Sequence, residues 1–101
     1  MKIFISQPMR NKTDEQIEKE RNDAIEHVKK VFDKDVEVID SFFKGAPHDA
    51  TPLWFLGKSF ELLSTADVAV FIGDWYDYRG CKMEYKACRE YGIKAIDMNL
   101  R

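Results

Sequence analysis

Cysteine is scarce in this sequence: there are two, Cys81 and Cys88, among 101 residues. Their spacing is neither a CxxC pair nor a metal-ligand pattern, and on a helix it sets them on roughly one face, too far apart to bridge. Two small, partly buried thiols of a reducing cytoplasm are expected. His48 stands in an aperiodic segment with no second His or Cys at metal spacing, so neither a metal nor another cofactor is anticipated. Basic runs are missing too. The formal net charge is −2 with acidic and basic residues interspersed, which argues against a grip on a nucleic acid polymer. The longest apolar run, Val68 to Ile72, is far too short to cross a bilayer. Met1 leads directly into a strand-like segment, without the charged and apolar regions of a secretory signal, so a cytoplasmic location with no membrane partner is expected. No internal repeat or low-complexity tract occurs.

What is present reads as one globular domain over residues 1–101, with 45% hydrophobic, 34% charged and 13% aromatic residues. Ile3-Phe4-Ile5, bounded by Gln7-Pro8, predicts a buried strand. Thr13 with Gln16 three residues on is a capping box, followed by helical spacing through Ile17, Ala24, Ile25, Val28, Val31 and Phe32. Val36 to Ile39 predicts a second strand, and residues 42–51 a loop. Thr51-Pro52 opens a helix with the buried stripe Leu53, Leu56, Phe60 and Leu63. Val68 to Ile72 is the central strand, and residues 73–80 form a polar and aromatic loop. A third helix from about Cys81 stops at Gly92, before a last strand near Lys94 to Asp97.

Alternating strands and helices predict an α/β, three-layer flavodoxin-like or Rossmann-like domain. Its sheet has four parallel strands in the order 2-1-3-4, with helices on both faces. Ligands of such sheets sit outside the strand carboxyl ends at the switch point, here the first and third strands. Two loops would line that site. The first offers Ser6, Gln7, Met9 and Arg10; the second offers Asp74, Trp75, Tyr76, Asp77, Tyr78, Arg79 and Gly80, leading to Glu84. Trp and Tyr supply flat faces for a base or sugar, and Arg a fork for phosphate. Glu84, placed in the first turn of its helix, would be kept ionised by the helix dipole. A carboxylate in that state can attack an anomeric carbon, but another group must then protonate the leaving base, and Asp74 and Asp77 are the candidates. The same Glu84 also suits a surface residue that only complements the dipole, and Arg10 suits a solvated or salt-bridging role. Asp67, just before the central strand, suits a backbone hydrogen-bonding role. Cys81, at the expected helix start, could have a lowered thiol pKa, but no His lies near it in sequence.

The opening Met1-Lys2-Ile3-Phe4-Ile5-Ser6-Gln7-Pro8-Met9-Arg10 resembles the first strand and loop of the nucleoside 2-deoxyribosyltransferase superfamily. Ala66 to Phe71, then Gly73-Asp74-Trp75, then Gly80-Cys81-Lys82-Met83-Glu84 and Ala87 resemble its third strand and following helix. The likeness is nearest to a small branch with a Gly-x-Trp loop and a Gly-(small)-x-x-Glu helix start. By that resemblance Glu84 is the nucleophile that attacks C1′ of a nucleoside or nucleoside monophosphate, and Arg10 helps bind the phosphate. The base is released and a glycosyl-enzyme forms, to be resolved by water or a second base, as in retaining glycosidases. The resemblance also implies a homo-oligomer whose neighbouring subunit completes the pocket. Two departures stand out. Gln7-Pro8 replaces a small-residue loop, and Ser59, beside Lys58, stands about where characterised members carry an Asp.

Three functions follow as expectations: an N-glycosidic enzyme, a nucleotide-binding module without turnover, or a protein-interaction scaffold using Phe42, Phe43, Trp54 and Trp75.

Overall fold

The computed structural model describes residues 1–32, 35–41 and 46–98. Four strands, β1 (Lys2–Ser6), β2 (Glu37–Val38), β3 (Val68–Phe71) and β4 (Lys94–Asp97), alternate with three helices. These are α1 (Asp14–Phe32), α2 (Pro52–Leu63) and α3 (Arg79–Tyr91). All pairings are parallel, and the strand order is β2-β1-β3-β4, the flavodoxin-like arrangement expected from the alternation. Phe42 and Phe43 lie outside the described residues.

Side-chain alternation along β1 and β3 divides the core in two. Ile3, Ile5, Val68, Val70 and Ile72 pack with Ala24 and Val28 of α1 on one face. Phe4, Ala69 and Phe71 pack on the other with Leu63 of α2, Cys81 and Cys88 of α3, and Trp75. The register Ile3↔Val68 to Ser6↔Phe71 brings the carboxyl ends of β1 and β3 level, so their following loops leave the sheet side by side.

Local chemistry accounts for the helix ends. The capping box forms: Gln16 N donates to Thr13 Oγ1 at 3.1 Å, and Thr13 N donates to Gln16 Oε1 at 2.9 Å. Thr51 Oγ1 accepts from Trp54 N at 3.2 Å, with Pro52 opening α2. Gly92, at φ 74°, takes the left-handed conformation that ends α3, and Ile93 N donates to Cys88 O at 2.9 Å. Asp67 has the backbone role the sequence suggested, its Oδ2 accepting from Lys2 N at 2.7 Å.

Four features differ from the sequence expectation, the first in α2, where Leu53 and Phe60 of the expected buried stripe are exposed and Leu63 is its one buried residue. The second strand is shorter, although Ile39 N still donates to Ile3 O at 2.9 Å. A 3-10 turn over Trp75–Asp77 interrupts what reads as loop. The third helix begins at Arg79 rather than Cys81, because Tyr78 caps it through backbone alone and offers no side-chain signal to read. Glu84 therefore belongs to the second turn, where the dipole has weakened.

Candidate functional site

The site begins with the last residue of β1. Strand alternation turns Ser6 toward α3, whose residues Cys81, Glu84 and Cys88, spaced as i, i+3 and i+7, form its buried face. Ser6 Oγ donates to Glu84 Oε1 at 3.0 Å in a buried contact, with Ser6 2% and Glu84 6% exposed. Cys81, one turn before Glu84 on the same buried face, feels the Ser6 hydroxyl as well, which pulls its thiol pKa down against burial.

Burial dominates the electrostatics. The Glu84 carboxyl is pushed up from 4.5 to about 7 by desolvation, with the Ser6 hydrogen bond pulling the other way. The dipole-stabilised, fully ionised carboxylate expected from sequence is thus corrected: near neutral pH, Glu84 exists in both forms. Burial also lifts the Cys81 thiol to about 11, the charges of Glu84 and Asp74 adding to the effect while Ser6 and Lys12 oppose it. Cys88 is raised to about 11, first by burial and then by Glu84. Both thiols are neutral, and Cys81 is not the activated group that a helix N-terminus would make it.

Those charge effects show which loops converge on α3. After β1, residues Met9 to Lys12 form a turn closed by Lys12 N donating to Met9 O at 3.3 Å, with Asn11 at φ 63°. The turn carries Arg10 outward, exposed, and returns Lys12, whose Nζ pairs with Glu20 Oε2 at 2.9 Å and whose charge reaches Cys81. After β3, Gly73 at φ 63° starts the second loop against Pro8: a Cβ there would lie 3.7 Å from the proline ring. Asp74 is exposed yet its charge reaches Cys81, whereas Asp77 is exposed within the 3-10 turn.

The remaining expected site residues divide between scaffold and rim. Trp75 is 5% exposed, stacks on Tyr85 at 4.7 Å, and donates its indole N–H to Asp97 Oδ1 at 3.0 Å. Its ring is engaged in the core rather than standing open in a loop. Gln7 is buried and donates through Nε2 to Ile17 O at 2.8 Å, tying β1 to α1; its Oε1 has no partner. Arg21 sits one turn further along α1, donating from Nη2 to Ile39 O at 2.6 Å while Nη1 lacks a partner. Met9 and Tyr78 are half-buried. Gly80 is half-buried as well, and a Cβ there would meet no atom within 4 Å, so open space adjoins the first turn of α3. Among the described residues no hydrogen bond or ion pair joins Arg10 to Glu84.

Sequence reasoning thus singled out Ser6 and Glu84, which the fold brings into contact, and did not single out Lys12, which pairs with Glu20 of α1. Its signal was slight: an Asn able to adopt the left-handed turn just before it. On the opposite face of the sheet, α1 and the end of β3 enclose an open groove of about 440 Å³ lined by Glu20, Asp23, His27, Ile72, Gly73 and Met98. Among the described residues no group of three or more His, Cys, Asp or Glu could hold a metal ion, and no helix is long and apolar enough to cross a membrane. Comparison with protein-family models, with curated proteins and with solved structures found no match.

Proposed function

We propose that the chain breaks the N-glycosidic bond of a nucleoside or nucleotide, with Glu84 as the nucleophile. One observation carries this reading: a buried carboxyl, held by Ser6 at the carboxyl ends of β1 and β3, that exchanges its proton near neutral pH. Structural ion pairs also perturb carboxyl groups, but Glu84 has a hydroxyl rather than a cation as its hydrogen-bond partner, an arrangement suited to chemistry.

In the proposed reaction a carboxylate oxygen of Glu84 forms a bond to C1′ as the bond from C1′ to the base nitrogen breaks. The electron pair of that bond leaves with the base, which takes a proton from a nearby acid. Asp74 is the better placed of the two aspartates, since its charge reaches Cys81, one helical turn from Glu84. Water or a second base then attacks C1′ and frees the carboxylate. Arg10, exposed on the first loop, is assigned to a 5′-phosphate, and Met9, Tyr78 and Gly80 to the walls of the sugar site. A homo-oligomer belongs to the same reading, supported by the exposed Leu53 and Phe60 of α2.

A second reading has an observation of its own. Asp74 and Asp77 are both exposed, so neither shares the buried setting of Glu84, and the site could bind nucleotide without turnover. Base release from deoxynucleosides and their 5′-monophosphates, followed chromatographically, separates the two. Native chain is expected to release base and Glu84→Gln to release none; equal rates would overturn the role of Glu84. Thermal stabilisation by a nucleotide with no release favours the binding module. Neither release nor stabilisation across the panel refutes both.

A further inference from the structure

We propose that Ser6 is a positioning residue for Glu84, its hydroxyl aiming the buried carboxyl and stabilising its charged form. The catalytic consequence rests on the reaction proposed above; the geometry itself does not. Ser6 is pinned at the end of β1, where its own carbonyl accepts from Ile72 N at 3.1 Å, so the hydroxyl projects from a fixed strand rather than a loop. Its Oγ lies 3.0 Å from Glu84 Oε1, and the contact is sealed from solvent. Cys81 and Glu84 are neighbours on one face of α3, and it is Glu84 that accepts from the hydroxyl.

A buried carboxylate with no donor bears the whole cost of desolvation, and Ser6 supplies the donor. The other titratable groups gathered here do not replace it. Cys81 and Cys88 on the same helix are neutral thiols, while Asp74 from the loop after β3 and Lys12 from the loop after β1 carry opposite charges. Of the influences on Glu84, the Ser6 hydrogen bond is the one that favours ionisation, against burial.

The test is titration of the Glu84 carboxyl by carbon NMR, with its signal assigned by loss in Glu84→Gln. It is run on native chain, Ser6→Ala and Ser6→Cys beside pH profiles of kcat/KM for base release. Ser6→Ala is expected to raise the midpoint by about one to two pH units, and the acid limb of kcat/KM by the same amount. Ser6→Cys, which keeps a weaker donor of similar shape, is expected to raise it by less. A midpoint unmoved in either folded variant overturns the proposal. The titration needs no turnover, so absence of base release from native chain counts against the reaction alone and leaves the Ser6 arm decisive.

Discussion

Replacing Glu84 with glutamine keeps the shape of the side chain and removes the one proton equilibrium that burial has displaced furthest among the carboxyl groups. In the unfolded chain this carboxyl titrates near its ordinary 4.5, in the folded chain near 7. Because the folded value is the higher, the folded state holds the proton more tightly. The stability this provides is full below the unfolded value and is lost as pH rises through the folded one. Moving the midpoint from 4.5 to about 7 corresponds to about 3 kcal/mol, at about 1.4 kcal/mol per pH unit. Glutamine has no proton to lose, so its stability does not fall for this reason. The assay is urea unfolding of native chain and Glu84→Gln from about pH 5 to about pH 8, with titrations common to both proteins cancelling in the difference. The variant is expected to gain about 2–3 kcal/mol on native chain across that range, on the order of 10–20 °C in Tm for a domain of this size. Parallel stability curves would refute the reasoning and return Glu84 to an ordinary solvated carboxylate.

Two further perturbations test the scaffold of the site. Asn11 holds a left-handed conformation at φ 63° in the turn that returns Lys12, so Asn11→Gly is expected to raise stability by about 0.5–1 kcal/mol in urea unfolding. A loss would show that the asparagine side chain, and not the backbone, defines that turn. Trp75→Phe keeps most of the ring but deletes the donor to Asp97, and a loss of about 1–2 kcal/mol is expected. An unchanged unfolding midpoint would mean the indole contact contributes nothing to holding the second loop.

The fold was legible because its signals are local. Thr13 with Gln16, Thr51 with Pro52, and Gly92 each mark a helix end through contacts within a few residues, and those contacts form. Continuous apolar runs in β1 and β3 gave the two central strands, and the alternation of elements gave the parallel order. The site was legible only in part, for the complementary reason. Trp75 read as an open aromatic face because its partners, Tyr85 and Asp97, are far along the chain and reach it only after folding. Arg10 drew attention through its chemistry, yet the turn at Asn11 leaves it exposed and returns Lys12 to pair with Glu20 of α1. Glu84 could be picked out by type and position, but its proton affinity follows from burial by tertiary packing, which no spacing encodes.

Glu84 as nucleophile makes a covalent prediction that base release alone does not. Chain quenched in acid during turnover of a deoxynucleoside 5′-monophosphate can be digested and its peptides weighed by mass spectrometry. A sugar-phosphate adduct on Glu84, in a peptide from α3, is the expected result. Base release with the adduct on another residue, or release that persists in Glu84→Gln, would contradict it.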